Sequence, residues 1–362
     1  MAHEAQVRYS DLVLAKLRAE LVLADGFVFN NDYEGDPKAG AVKIPTRDSE
    51  VSVRAYDKAN GIAPTTGSTS YTTLVIDKDM AVNEVIDGYD AASVPDNLVA
   101  DRLDSAGYSL ARQLDTDGAT TLLAGATATS VASLTKDNIY SNIVDIRTAM
   151  SKADVPDDGK RYLLVTPDTF ALILKSPEFI SASDLGDSVK QNGILGKIGG
   201  FLVKEWNDST ANLAMIAGHP RYATRVHEWS VPVKVQDLAQ SGDYIGACAV
   251  QGRRVYGHKV LRAAAIRSVF APGALTVSLA ASDSGKTIAT VTAGNTGTTY
   301  KYTKNPASRV PYGDAYSSGT SLTSGTTKIS VAEGDVLEIA NISDGGVVAV
   351  AYVTVTASDI GA

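Results

Sequence analysis

The sequence predicts an α+β protein with a further all-β unit at its C-terminal end. Three observations lead there. Residues 96–124 carry apolar side chains at helical spacing, with Val99, Leu103, Ala106, Leu110 and Leu114 on one stripe. Residues 40–86 instead alternate β-branched and polar side chains, the pattern of half-buried strands. Beyond Ala271-Pro272-Gly273 the composition shifts. Residues 273–362 hold 12 charged side chains, against 62 in the preceding 272, and 25 serines and threonines. Short alternating segments recur there between turns rich in Gly, Asn, Asp and Ser, which reads as a sandwich of immunoglobulin-like size.

At 362 residues the chain is long enough for two or three domains. Its formal net charge is −8, and the sequence shows no basic stripe of the kind that grips phosphates, so nucleic-acid readout is not expected. A single cysteine excludes an intrachain disulfide, and Cys248, within Ala247-Cys248-Ala249-Val250, reads as a small buried hydrophobe. Lys16, Arg18 and Glu20 interrupt the N-terminal region, unlike a signal peptide. No window approaches the roughly 20 apolar residues that span a bilayer. A cytoplasm-like compartment is the expectation.

In chain order, residues 1–25 read as a helical arm, with Val7, Leu14, Leu17 and Leu21 on one face and Asp25-Gly26 ending it. Residues 40–86 read as an extended two-stranded flap whose polar tip is 58–71. Isolated hairpins are marginal in water, so contact with another chain is expected to order it. Asp96 is the expected cap of the long helix 96–124. A second helix is predicted over 136–151, capped by Thr135, with Ile139, Ile143, Ile146 and Met150 on one face. A buried strand, Tyr162-Leu163-Leu164-Val165, runs into Thr166-Pro167-Asp168, a helix start with proline at the first position. The run 195–226 then reads as strand, glycine turn, strand and an irregular return.

Chemistry-bearing patterns are few. Ala280–Thr287 fits a relaxed phosphate loop, but strand-like residues follow where a helix is needed, so it reads as a hairpin turn. The four histidines, His3, His219, His227 and His258, lack zinc spacing, and His219 before Pro220 reads as a turn residue. Asp77, Asp79, Asp157 and Asp158 read as solvated carboxylates without calcium-loop spacing. No catalytic, cofactor-binding or metal-ligating residue is assigned, and an enzyme is not expected. Arg253-Arg254 and Lys259-Arg262 supply local positive charge suited to pairing between subunits.

In element order the first 270 residues resemble the major capsid proteins of tailed bacteriophages, whose coat-protein fold is shared with encapsulins and herpesvirus shells. The arm 1–25, the flap and the long helix resemble that family's N-terminal arm, extended loop and spine helix. Tyr162–Lys175 with Pro177-Glu178-Phe179, and Gly196-Lys197-Ile198-Gly199-Gly200-Phe201, look like the opening of its axial domain, and Tyr256-Gly257-His258-Lys259-Val260 like its closing strand.

The resemblance implies a division into arm 1–39, extended loop 40–86, peripheral domain 87–160, axial domain 161–235 and return strands 236–272; the β-sandwich read from composition at 273–362 is expected to be a decoration fused to it. The resemblance implies a structural subunit that self-assembles in the host cytoplasm into an icosahedral virion head. The implied partners are copies of itself in hexamers and pentamers, a portal, a separate scaffold protein and double-stranded DNA held by enclosure; apart from the resemblance, the Thr-rich, weakly charged strands of 273–362 suggest an exposed unit that binds a surface glycan or reinforces joints. Expected inter-subunit contacts are Leu14 and Leu17 on the arm, Tyr56, Lys58 and Tyr71 on the flap, and Arg253 and Arg254. The Lys–Asn crosslink of some members is not carried over, since Lys58 has no identifiable acidic catalyst or Asn partner. An encapsulin-like compartment shell and a tail or surface adhesin remain as alternatives.

Overall fold

The structure, a computed structural model, describes residues 18, 20–36, 40–46, 50–67, 69–93, 98–177, 196–239, 244–293 and 299–361. Its elements begin with β1 (Ala41–Thr46), β2 (Ser70–Val75), β3 (Lys78–Ile86), α1 (Gly88–Ser93), α2 (Leu98–Gly125), β4 (Thr127–Ser130), α3 (Ile139–Lys152), β5 (Tyr162–Val165) and α4 (Pro167–Leu174). Next come β6 (Lys197–Ile198), β7 (Phe201–Glu205), β8 (Leu213–Gly218), β9 (Ala223–Asp237), β10 (Cys248–Val260), β11 (Arg267–Phe270) and β12 (Gly273–Ala274). The last are β13 (Thr276–Ala281), β14 (Lys286–Ala293), β15 (Thr299–Lys304), β16 (Thr320–Leu322), β17 (Lys328–Ser330), β18 (Val336–Ser343) and β19 (Gly346–Thr354). The chain divides into two compact units, Met1–Gly125 with Pro220–Ala263, and Ala126–His219 with Ala264–Ala362.

In the first unit α2 is 28 residues long, roughly 42 Å at the α-helical rise. It buries Ala106, Leu110, Leu114, Gly118, Ala119 and Leu122, and it packs on an antiparallel sheet ordered β3-β10-β9. Ile86, Ala106 and Val250 meet there, with Val82, Leu98, Val99, Leu103, Val233 and Cys248 around them. Each such side chain removed from water contributes about 1.5–3 kcal/mol. The flap strands β1 and β2 pair antiparallel from Ala41 opposite Val75 to Thr46 opposite Ser70. Ile44 and Leu74 are buried with Val226, flanked by Tyr33, Val42, Ile76 and Leu261. The root of the flap is thus held by the chain's own core.

The second unit contains a mixed sheet ordered β4-β11-β8-β5-β7-β6. Its central strand β5 is wholly buried, as four consecutive apolar residues require, and β8 beside it is buried throughout. Helix α3 buries Ile139, Ile143, Ile146 and Met150, the predicted face. The C-terminal strands form a five-stranded sheet, β12-β19-β18-β15-β16, and a three-stranded one, β13-β14-β17. One core joins them: Ala289 and Ile329 from the smaller sheet with Leu322, Leu337, Ile339 and Ala351 from the larger. Ala271, where the composition begins to shift, is buried, and its N–H donates to the Asn212 carbonyl at 3.0 Å. The Asn212 side-chain amide donates to the Val348 carbonyl at 2.6 Å, and the rings of Phe270 and Tyr312 stack at 5.8 Å. The C-terminal sheets therefore continue the unit that holds the six-stranded sheet.

Several expectations change. The described residues at the end of the predicted arm helix, 20–24, are not helical: the Leu23 N–H donates to the Asp115 carboxylate at 3.3 Å, and Val22, Leu23, Val28 and Phe29 are all buried. Residues 1–17, and with them most of that helix, lie outside the described residues, as do Asp96 and its cap. Residues 78–86, read with the flap, form β3 and pair with β10. Thr135 does not cap α3, because the turn 136–138 intervenes and Asn138 precedes the first helical residue. His219, read as a turn residue, is buried with Nε2 3.0 Å from Asp158 Oδ1. The glycine turn of 197–205 and the hairpin at 281–286 stand as read.

Candidate assembly surface

The flap tip, residues 50–67 as described, contains no strand, and its apolar side chains face solvent: Val51 is 85% exposed, Val53 96% and Tyr56 72%. Alternating Val, Ile and Tyr would ordinarily be paid for by burial, and here the chain's own core does not reach them. A local turn shapes the tip. Asp57 accepts from the Ala59 N–H at 2.9 Å and from the Asn60 amide at 2.8 Å, and the Gly61 N–H closes on the Asp57 carbonyl at 2.8 Å. These bonds, led by that from Ala59, hold the Asp57 carboxyl below its usual range. The turn presents Lys58 at its crest.

The root of the flap closes against β10 through Gly257. A side chain there would place a Cβ 2.6 Å from the Val75 carbonyl oxygen and 3.0 Å from Leu74 Cδ2, so only glycine lets the strands approach.

A polar knot lies beside this root. Arg225, buried on β9, donates through Nη1 to Asp25 Oδ1 at 2.8 Å and through Nε to His258 Nε2 at 2.8 Å, while its guanidinium lies 4.7 Å over the Phe29 ring. The second oxygen of Asp25 is 3.3 Å from His227 Nε2, and Tyr256 donates to Asp117 on α2 at 2.7 Å. Burial opposes the Asp25 charge, but bonds from His227 and Asn31 together with Arg225 hold its carboxyl well below the usual range. Burial, helped by the Arg225 charge, pushes His258 down to about 3. A neutral His258 can accept from the arginine. The knot pins residues 22–30, where the arm leaves the body, onto α2 and two strands.

On the sheet face away from α2, Arg253 pairs with Asp79 of β3 and lies 5.3 Å over the Trp229 ring, which is 45% exposed. Hydrogen bonding to Asp79 raises the Arg253 pKa further.

The structure thus brings Tyr56 and Lys58 together on the tip and sets Tyr71 on β2, exposed. Arg253 is satisfied within the chain, Arg254 is half-buried in β10, and Leu14 and Leu17 lie outside the described residues. Sequence reading missed Trp229, the solvent-facing valines and the Arg225 knot. The valines carried a signal, alternation without enough large neighbours for a core; a knot joining residues 200 apart carried none. Among the described residues no group of His, Cys, Asp and Glu side chains is arranged to hold a metal ion.

A family described as phage capsid protein matches residues 83–269, slightly more than half of the chain. The chain belongs to that family. A structure from Mycobacterium phage Che8 has 23% identity and a TM-score of 0.62, over 73% of this chain and 96% of the other. The capsid of cyanophage P-SCSP1u matches with 13% identity and a TM-score of 0.62, over 74% and 92%, and that of Myoviridae phage XM1 with 16% and 0.52, over 73% and 96%. No curated protein matches the sequence. The chain has the phage capsid fold and is a structural capsid protein of the phage head.

Proposed function

We propose that this capsid protein assembles, through hexamers and pentamers of itself, into an icosahedral shell enclosing double-stranded DNA, and that it does so by geometry, without turnover. The observation that carries the reading is the flap: its root is fixed in the chain's own core, while its apolar tip is left uncovered. A heterologous contact repeated around a ring closes a shell, and many modest contacts act together. Burying the tip on an adjoining copy would supply one such contact. Arg253, Arg254 and Tyr71 are read as further contact residues, with the arm as a second reaching element. The acidic balance suits a wall from which packaged DNA must slide freely.

The C-terminal unit is read as an immunoglobulin-like decoration fused to this coat. Two facing sheets with one core support it, and the proportions are compatible: the capsid structures match 73–74% of the chain, and residues 273–362 make up about a quarter of it. A portal and a separate scaffold protein complete the set of partners.

Negative-stain microscopy of the expressed chain, with and without residues 51–67, tests the reading. Closed particles from the intact chain and none from the shortened one are expected. A shortened chain that still yields closed particles of the same size overturns the role of the tip, and an intact chain that stays monomeric at high concentration overturns the shell.

A further inference from the structure

The C-terminal unit contains a surface cleft of about 470 Å³ that the shell does not explain. It opens between the start of β15, the segment 315–317 and the turn joining β18 to β19. Its polar groups are the hydroxyls of Thr299, Ser317 and Ser343, the Lys301 ammonium and the Asp344 carboxylate. The buried Ile342 and Tyr316 lie beneath them.

Each wall is fixed. Ser343 and Gly346 pair across a two-residue hairpin turn whose Asp344 and Gly345 have φ of 50° and 83°, the left-handed pair such a turn needs. The opposite wall is stitched to β19 by the Gly313 N–H on the Val347 carbonyl at 2.8 Å and by the Val347 N–H on the Asp314 carbonyl at 3.0 Å. Lys301 donates to the Tyr316 carbonyl at 3.0 Å, a bond between two residues of the lining.

Behind the cleft, Tyr316 donates its hydroxyl at 2.6 Å to Glu338, a carboxylate only 1% exposed. Burial and this bond raise the Tyr316 pKa. Tyr352 stands opposite Glu338 on the next strand, with the Arg309 guanidinium 4.4 Å over its ring. Among the described residues no cation pairs with Glu338, and burying such a group costs stability that an apolar residue would not. What Glu338 supplies in return is position: it fixes the ring and backbone of Tyr316, and through them the wall of the cleft and Lys301.

We propose that this cleft binds a sugar residue, with Asp344 accepting from adjacent ring hydroxyls, Lys301, Ser317 and Ser343 completing the polar contacts, and Glu338 acting through Tyr316 as a positioning residue. The lining decides the class. Three hydroxyls that can each donate and accept suit a neutral ligand rich in the same groups. Among the described residues of the lining one carboxylate stands beside one ammonium, which disfavours both a multiply charged anion and a cation. A cleft of this volume lies within the usual range for small ligands. The reading of the C-terminal unit as an outward decoration bears on the use of such binding, not on the binding itself.

The test uses the full chain, unassembled, with the methyl glycosides of glucose, galactose, mannose and N-acetylglucosamine as probes and saturation-transfer NMR as the readout. At least one glycoside is expected to bind with a dissociation constant of about 1 mM. Asp344→Ala is expected to weaken it roughly tenfold or more, and Glu338→Gln to weaken it less, without changing which sugar is preferred. A soluble polysaccharide of the preferred sugar, offered to assembled particles, separates a polymer end from a free sugar as the source. No transfer to any glycoside, equal transfer in wild type and Asp344→Ala, or transfer to free glutamate but to no sugar each overturns the proposal. Failure to form particles would count against the shell and leave the binding result standing.

Discussion

Arg225 and His258 share a 2.8 Å hydrogen bond in which the arginine Nε donates and the histidine Nε2 accepts, so the fold holds His258 in its neutral form. The consequence is a pH dependence with a definite sign. Above pH 6.5, the ordinary value, the histidine is neutral whether the chain is folded or not. Below it the unfolded chain takes up a proton that the folded chain refuses until about pH 3, so stability falls across that window as the pH drops. Between pH 6.5 and about 4.5 the loss is expected to be roughly 2–3 kcal/mol, read by urea unfolding at each pH. Asp25, depressed in the folded state, adds a further loss only in stronger acid, as it protonates. His258→Gln keeps an acceptor for Arg225 but cannot titrate, so its slope over the same range is expected to shrink. An unchanged slope would place the pH sensitivity elsewhere.

Gly257 decides whether the flap stays seated. Alanine there forces a Cβ to within 2.6 Å of the Val75 carbonyl oxygen and 3.2 Å of Ile76 Cα, backbone atoms with little room to yield. Gly257→Ala is expected to cost about 1–3 kcal/mol as an overpacked contact and to lower the yield of particles. Gly67→Ala, with nothing within 4 Å of the added carbon, serves as the control on the same flap. Equal stability in the two variants would mean that the strands do not close on β10.

The contrast between these two sites marks how far the sequence could be read. The stripe from Val99 to Leu114, the four buried residues of β5 and the face of α3 were legible because a period of 3.6, or an unbroken apolar run, encodes burial locally. The end of the arm was not. Leu21 sits in helical register with Leu14 and Leu17, yet residues 20–24 are not helical: Leu23 is bonded to Asp115 and the adjoining Asp25 to Arg225, partners about 90 and 200 positions away. Residues 78–86 share the alternation of the flap strands, and period alone cannot tell which strand a strand will pair with. On the candidate surface, Tyr56 and Lys58 were legible because polar turn residues flank them; Trp229 was not, since its exposure depends on which face of β9 meets α2.

Arg161 shows how one buried cation can hold the turn that follows a helix. Its side chain is 1% exposed, and it donates to the carbonyls of Pro156 at 2.9 Å and Val155 at 2.5 Å and to the Ser151 hydroxyl at 3.2 Å, all just beyond or within the last turn of α3. The last carbonyls of α3 are met by the N–H groups of Ala153, Asp154 and Val155, so what Arg161 satisfies is the pair of carbonyls in the turn that follows. Arg161→Met fills the volume but leaves those acceptors buried and unmet, at about 1–3 kcal/mol for each group. A drop in melting temperature, with Arg161→Lys restoring only part of it because an ammonium lacks the fork, is expected in thermal unfolding. Full rescue by lysine would show that charge alone, not the forked geometry, holds the turn.

Val51 and Val53 separate contacts made within a subunit from contacts made between subunits. Both side chains face solvent, so replacing both with serine removes nothing from the core, and the stability of the unassembled chain is expected to stay within about 0.5 kcal/mol of wild type. Assembly should respond differently. If each valine buries on an adjoining copy, its loss removes up to about 1.5–3 kcal/mol at every repeat of the contact, and the effect compounds around a closed ring. Sedimentation of the double variant is therefore expected to show subunits or small oligomers at concentrations where wild type sediments as particles. Loss of stability in the unassembled chain would mean that the tip packs on its own body. Particle formation at the wild-type concentration threshold would mean that the tip is not part of the joint, leaving Tyr71 and the Trp229 face of the sheet as the surfaces to mutate next.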